Sequence, residues 1–256
     1  MHVILIIIAS LFSFQTFAEF NGKIDFSLRT KPLQYNAGVT GAYDGLLWGE
    51  VNRTNGLYGF YRVGAKLGGS PTAAAFIQIA PVAPVVFEIQ KGTTYRFVKT
   101  SGTDCDTYEC LHRVDRTDYS MRLGGAYKKF VLMSKFMLRE IETEEGTKPI
   151  FLELEAFHVR PGHYYRYFEN LTMAGYKMDD FSSAGLLYIG GELTGSRARF
   201  YSGYGYYNRR MEWATLTAAL GYTDNSVAPA AIQDKFRGLS AIVLLSRTFG
   251  ETLSLF

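Results

Sequence analysis

The chain has 256 residues, of which 47% are hydrophobic and 15% aromatic, and its formal net charge is +3 at pH 7. A charge this small, with no block of basic residues interleaved with aromatic ones, excludes nucleic acid as the expected partner. The chain has 18 Tyr, 19 Phe and 26 Gly against only 7 Pro and 2 Cys. This composition is typical of an all-β protein with many tight turns and aromatic residues in its strands.

The first predicted element is a signal peptide at residues 1–18. Its apolar core runs from Val3 to Phe17 and ends beside a small-x-small cleavage pattern at Ala18. The segment before this core lacks Lys and Arg, so an uncleaved N-terminal anchor is the alternative. We expect export, cleavage after Ala18 and a mature chain of residues 19–256 that forms one domain.

The mature chain shows short segments with the period-2 alternation of β-strands. In Gly22–Thr30, apolar Ile24, Phe26 and Leu28 alternate with polar residues. Asn55-Gly56 is a strong hairpin signal between Tyr43–Asn52 and Leu57–Leu67. The further candidate strands are Thr72–Ala80, Val85–Lys91, Tyr119–Tyr127, Phe130–Ile141, Ile150–Val159, Tyr164–Thr172, Gly185–Leu193, Ala198–Tyr207, Met211–Tyr222 and Phe236–Thr248.

These thirteen segments predict an antiparallel transmembrane β-barrel of about 12 strands, with about 10–14 possible. Single-chain bacterial barrels have an even number of strands, so one of the assignments is in error. We expect the error at Tyr164–Thr172, which has no clean apolar face, or near Gly250, where a break would make Thr252–Phe256 a separate strand. The long loops are expected at residues 31–42, 92–117, 142–149, 173–184 and 223–235.

The alternation divides the strand residues into two faces. The residues expected to contact lipid are Leu57, Val63, Ile77, Phe87, Leu123, Leu132, Leu152, Leu154, Ile189 and Leu216. The residues expected to line the lumen are Arg62, Lys66, Glu88, Arg122, Lys135, Arg139, Glu153, Glu155, Glu192 and Arg199. Opposite charges across a narrow bore either form a transverse field for a small-solute pore or cross-link the bore shut.

Cys105 and Cys110 lie in a polar stretch of the longest expected loop. In an exported protein, such a close pair favours a local disulfide that stiffens the loop. A zinc site is the competing interpretation, but zinc prefers four ligands and only His112 is near in sequence. No cofactor and no metal are predicted.

The signal-type start, the aromatic-rich alternating strands and the ending Leu253-Ser254-Leu255-Phe256 resemble Gram-negative outer-membrane β-barrel proteins of the porin-like kind. The resemblance implies an outer-membrane location, contact with membrane lipid and insertion by the barrel-assembly machinery, which reads a terminal Phe. In this chain Leu253 and Leu255 are out of phase with the apolar alternation of the usual ending.

Three functions remain open for such a barrel. The favoured one is a small-solute pore with a charged lumen, and the alternative is a non-conducting structural or adhesive barrel. An outer-membrane acyl hydrolase would need a Ser activated by a His. His112, His158 and His163 occur near turns or loops, and no Ser has a Gly-x-Ser-x-Gly setting, so we predict no enzyme. Glu153 and Glu155 are spaced as acid and base residues sometimes are, but nearby cations favour ion pairing.

Overall fold

The computed structural model describes residues 19–30, 33–51, 57–68, 72–96, 109, 112–152, 157–194, 199–225, 237–250 and 253. The predicted signal peptide at residues 1–18 and the predicted Cys105–Cys110 disulfide lie outside these residues, so both stay predictions.

In the described part of the chain, the structure contains fourteen β-strands. They are β1 (Glu19–Thr30), β2 (Leu33–Trp48), β3 (Gly59–Gly68), β4 (Thr72–Val82), β5 (Val85–Arg96), β6 (His112–Tyr127), β7 (Phe130–Thr143), β8 (Ile150–Leu152), β9 (Phe157–Val159), β10 (Tyr164–Lys177), β11 (Ser182–Leu193), β12 (Arg199–Arg210), β13 (Thr215–Asn225) and β14 (Gly238–Phe249). None of the described residues belongs to a helix long and apolar enough to cross a membrane.

Twelve of the strands close into an antiparallel barrel. Each strand pairs with its neighbour along the chain, with β7 followed by β10, and β1 closes the ring by pairing with β14. At the closure, Gly22 lies opposite Phe249 and Arg29 opposite Ile242. Closure leaves no unpaired sheet edge. The predicted all-β antiparallel barrel of about 12 strands is therefore confirmed.

The surplus strand assignment was Ile150–Val159, not either of the positions we expected. This segment is a separate hairpin in which β8 pairs only with β9. Tyr164–Thr172, which we suspected, belongs to the barrel strand β10. The expected loops at residues 31–42 and 173–184 are also largely strand, because β2 begins at Leu33 and β10 continues to Lys177.

The two ends of the barrel differ in their connections. Four short turns lie at one end, here called the turn end, together with Glu19 of β1 and Phe249 of β14; the turns are residues 83–84, 128–129, 178–181 and 211–214. The other end, the loop end, carries the connections 97–111, 144–163 and 226–237. Lys128 has a φ of 55° in its two-residue turn, a position that Gly or Asn usually occupies. The turn end also carries the connection 49–58, and the loop end also carries the short connections 31–32, 69–71 and 194–198. The three longest connections therefore share one end, as long loops do in outer-membrane barrels.

Side chains alternate between an outer and an inner face along each strand. On β4, Ile77 is 53% exposed whereas its neighbour Gln78 is 5% exposed. Of the residues expected on the outer face, exposed side chains are found at Leu57, Val63, Ile77, Phe87, Leu123 and Leu132. Leu216 shares the outer register through its pairing with Leu245, which in turn pairs with exposed Phe26.

One assignment to the outer face is wrong. Ile189 lies on the inner face, where it packs against two buried clusters, while its neighbour Tyr188 is 43% exposed. Leu186, Leu187, Tyr188 and Ile189 form an unbroken apolar run, so the sequence gives no alternation from which to choose the face. The side chains of Leu152 and Leu154 lie outside the described part of the structure.

Candidate functional site: the charged interior of the barrel

The wall formed by β2 to β7 carries most of the charged residues of the inner face. On adjacent strands, Arg62 donates two hydrogen bonds to Asp44, from Nε to Oδ1 at 2.6 Å and from Nη2 to Oδ2 at 2.5 Å. The Asp44 side chain is only 1% exposed and that of Arg62 is 14% exposed. Pairing and hydrogen bonding are what allow such charges to leave water.

A second group of polar residues surrounds Glu88 on β5. Gln78 donates a hydrogen bond to its carboxylate, and Lys66 Nζ lies 4.0 Å from Glu88 Oε1. The same ammonium donates to Gln90 Oε1 at 2.7 Å and lies 4.7 Å from the centre of the Phe76 ring. Lys66 is therefore held by an amide and an aromatic face as well as by a carboxylate.

Arg139 and Asp118 form a third paired site on β7 and β6. Arg139 Nε donates to Asp118 Oδ1 at 2.6 Å and Nη2 donates to Oδ2 at 2.7 Å. Their side chains are 12% and 6% exposed, respectively. Like the Arg62–Asp44 pair, this bidentate contact neutralises a buried cation within the wall.

Arg122 and Lys135 differ from these pairs. They lie directly opposite one another on β6 and β7, so two cations face each other across a strand pair. In the described part of the chain, neither side chain makes a hydrogen bond or an ion pair. Glu88 is close enough to interact with both, but this carboxylate already faces Lys66.

The opposite wall carries a network of hydroxyl groups around Arg29 of β1. Arg29 Nη2 donates to Ser202 Oγ at 2.9 Å and to Thr223 Oγ1 at 3.2 Å. The Tyr204 hydroxyl forms hydrogen bonds with the hydroxyls of Thr223 and Ser240. The network therefore links β1 to β12, β13 and β14. Arg29 Nε is buried and has no hydrogen-bond partner among the described residues. These residues were missed by the sequence analysis because their contacts depend on how the barrel closes.

The β8–β9 hairpin packs into the barrel from the loop end. Ile150 and Val159 are 0% and 4% exposed and belong to one cluster with residues of the inner wall: Val114, Met137, Ile141, Tyr167, Leu193 and Phe200. Thr143 Oγ1 donates to the carbonyl oxygens of Arg160 and His163, both at 3.2 Å, which ties the hairpin to the end of β7. The hairpin therefore narrows the interior on the side of β6, β7 and β10 to β12.

The turn end is narrowed by the segment after β14. Gly250 has a φ of 78°, which turns the chain away from the strand direction. Leu253 then packs against a cluster that includes buried Tyr58 and Phe60. Its backbone N–H donates to Asp44 Oδ2 at 3.1 Å, and its carbonyl oxygen accepts a hydrogen bond from Tyr58 at 2.7 Å.

Of the ten predicted lumen residues, two lie on the outer face and two lie outside the described residues. Glu192 and Arg199 lie on the outer face instead, with side chains 44% and 53% exposed and Arg199 Nε 3.1 Å from Glu192 Oε2. Their assignment to the lumen is wrong, since inner Leu193 and Phe200 are the buried neighbours. Glu153 and Glu155 lie outside the described residues, and the segments on either side of them form the hairpin rather than a barrel strand. The other six all lie on the inner face of β3 and β5 to β7.

The histidines contact backbone groups near the loop end. His163 Nδ1 lies 2.7 Å from the carbonyl oxygen of Pro161, and His112 Nδ1 lies 3.1 Å from that of Glu109. The side chain of His158 is outside the described part of the structure. Among the described residues, no group of three or more His, Cys, Asp or Glu is placed to hold a metal ion.

Comparison with known proteins shows that the fold of this chain resembles those of solved outer-membrane barrels. No protein-family model and no curated protein matches the chain. Similar solved structures include OmpT from the outer membrane of Vibrio cholerae (12% identity, 91% of this chain and 97% of that chain covered, TM-score 0.44) and an outer membrane channel from Pseudomonas putida F1 (10% identity, 91% and 95% covered, TM-score 0.47). An anion-selective porin from Comamonas acidovorans is also similar (8% identity, 92% and 100% covered, TM-score 0.40). The predicted resemblance to outer-membrane barrels is thus found among solved structures, but at these identities and TM-scores it carries no argument about function.

Proposed function

We propose that this chain is a bacterial outer-membrane β-barrel that passes small hydrophilic solutes through its interior. The main observation behind the proposal is that the same strands expose apolar side chains on the outer face and bury charged side chains on the inner face. Val63, Ile77 and Ile89 are 46%, 53% and 56% exposed on the outer face, whereas the inner face holds Asp44 and Glu88 at 1% and 6% exposure. A soluble barrel of this kind would have the opposite pattern.

The distribution of outer residues supports a membrane location. Exposed aromatic residues form one ring near the turn end: Phe20, Tyr43, Trp48, Tyr127, Phe130, Tyr176, Trp213 and Phe249. A second group lies toward the loop end: Tyr95, Tyr164, Phe168, Tyr201 and Tyr222. Two aromatic girdles on either side of an apolar band are typical of transmembrane barrels.

Charged outer residues lie at and beyond the level of the second aromatic group. The pairs Arg113–Asp115, Arg166–Glu140, Arg199–Glu192 and Arg237–Asp224 all occur where strands approach the loop end. This placement supports strands that extend past the bilayer into water on that side. It also accounts for the exposed position of Glu192 and Arg199, which the sequence had assigned to the lumen. Because outer-membrane barrels have short turns on the periplasmic side and longer loops outside, the barrel would place its three longest connections at the cell surface.

A closed structural barrel is the second candidate, and the infolded hairpin and Leu253 are the observations that favour it. A barrel of about 12 strands is intermediate between filled 8-stranded barrels and open 16-stranded porins, so strand number does not decide between the two.

Solute efflux from lipid vesicles separates the two candidates. Mature protein would be refolded into vesicles loaded with a small charged dye and a large dextran, with insertion checked by heat-modifiable gel mobility. The proposal predicts release of the dye and retention of the dextran. Retention of both by vesicles that contain folded protein would favour the structural barrel.

A further inference from the structure

The inner wall between β3 and β7 has more positive than negative charge. Arg62 is paired with Asp44 and Arg139 with Asp118, so each of these pairs is neutral. The other inward cations described on this wall are Arg116, which donates to Thr94 Oγ1 at 2.6 Å, and Lys66, Arg122 and Lys135. The last three all interact with the carboxylate of Glu88. An inward wall with this balance attracts anions.

Two of these cations, Arg122 and Lys135, lie directly opposite one another on β6 and β7. Side chains directly opposite on antiparallel strands have Cβ atoms about 4.5–5.5 Å apart, and like charges at such positions destabilise the sheet. On the flanking strands, Arg122 lies opposite Val86 of β5 and Lys135 lies opposite Leu171 of β10. Neither of these apolar residues supplies a compensating charge. In the described structure neither side chain makes a hydrogen bond or an ion pair, and Glu88, which interacts with both, is shared with Lys66.

We infer that Arg122 and Lys135 together bind the carboxylate or phosphate group of a small solute inside the barrel. The guanidinium offers a planar pair of donors for an oxyanion, and the ammonium adds a second charge from the adjacent strand. Lys66 lies on the same wall and extends the positive surface toward β3. This inference rests on the proposed pore function, because a solute would reach the site through the lumen.

The first test measures ion selectivity. Wild-type protein and the Arg122→Gln/Lys135→Gln double variant would be inserted into planar bilayers under a potassium chloride gradient. The reversal potential of the wild type should lie on the chloride side, and the double variant should shift it toward potassium. Arg199→Gln/Arg237→Gln is the matched control, since it removes the same charge from exposed outer positions and should leave the reversal potential unchanged.

The second test detects binding without conductance. Inorganic phosphate and acetate should each raise the urea midpoint of the wild type, because a ligand that binds only the folded state stabilises it. In the double variant, the affinity for phosphate should fall about tenfold, as expected from the loss of charge-assisted hydrogen bonds. The Arg122→Lys/Lys135→Arg exchange keeps both charges and should therefore retain the stabilisation by phosphate. If the double variant fails to fold, this exchange variant still tests the site, because loss of the phosphate effect in it would contradict the inference.

The outcomes separate the inference from the pore proposal. Absence of conductance with a phosphate-dependent midpoint would overturn the pore and leave the anion site standing. Two results would overturn the anion site and leave the pore. One is conductance with a preference for cations. The other is conductance in which the double variant keeps the ion selectivity and the phosphate stabilisation of the wild type.

Discussion

Replacement of Ile77 by Arg tests whether the outer face meets lipid. Ile77 is in the middle of the 11-residue strand β4 and is 53% exposed. Its neighbours on the adjacent strands, Val63 and Ile89, are also apolar and exposed. An Arg at this height therefore has no adjacent polar group, and in a bilayer the substitution should lower the free energy of unfolding by about 2–4 kcal/mol.

Tyr127→Arg provides the matched control. Tyr127 is the last residue of β6, lies beside Lys128 and Lys129, and is 72% exposed. Near the interface, an Arg on the lipid face costs only about 0–1 kcal/mol. Urea unfolding of both variants in lipid vesicles would measure the difference. On the surface of a soluble protein both substitutions would remain within about 0.5 kcal/mol of the wild type, so equal and small effects would refute a lipid-facing belt.

Three further predictions concern the interior and the loops. Asp118→Asn should lower the free energy of unfolding by about 3–5 kcal/mol because it leaves Arg139 buried without its anion; Asp118→Leu/Arg139→Met should recover most of this loss in the same urea assay, and a full loss in both would contradict the account. Replacement of residues 145–161 by a short Gly-Ser linker should raise single-channel conductance, because the hairpin residues Ile150 and Val159 pack against the inner wall; an unchanged conductance would show that the hairpin does not narrow the path. Cys105→Ser/Cys110→Ser should leave the barrel folded by heat-modifiable mobility, since a loop of about six residues constrains only local chain entropy; failure of assembly would contradict the loop-staple interpretation.

The barrel itself could be predicted because its signal is local. In β1, Ile24, Phe26 and Leu28 alternate with Lys23, Asp25 and Ser27, and strand alternation needs no knowledge of distant residues. The segment Ile150–Val159 misled the strand assignment because a short hairpin that packs inside the barrel is as apolar as a strand that crosses a membrane. Its two halves are three residues each, too short to cross.

The site could be predicted only in part. The inward positions of Arg62, Lys66 and Glu88 follow from alternation, but the pairing of Arg62 with Asp44 depends on the register between β2 and β3. Arg29 reaches Ser202, which is 173 residues away, only because β1 and β14 close the ring. No pattern in the sequence encodes that contact.

Single-channel recording in a planar bilayer tests the central claim most directly. Mature protein, refolded and shown to be inserted by its heat-modifiable mobility, should produce stable ohmic steps whose reversal potential under a potassium chloride gradient lies on the chloride side. Inserted, folded protein that gives no conductance steps would contradict the account of the interior as a solute path.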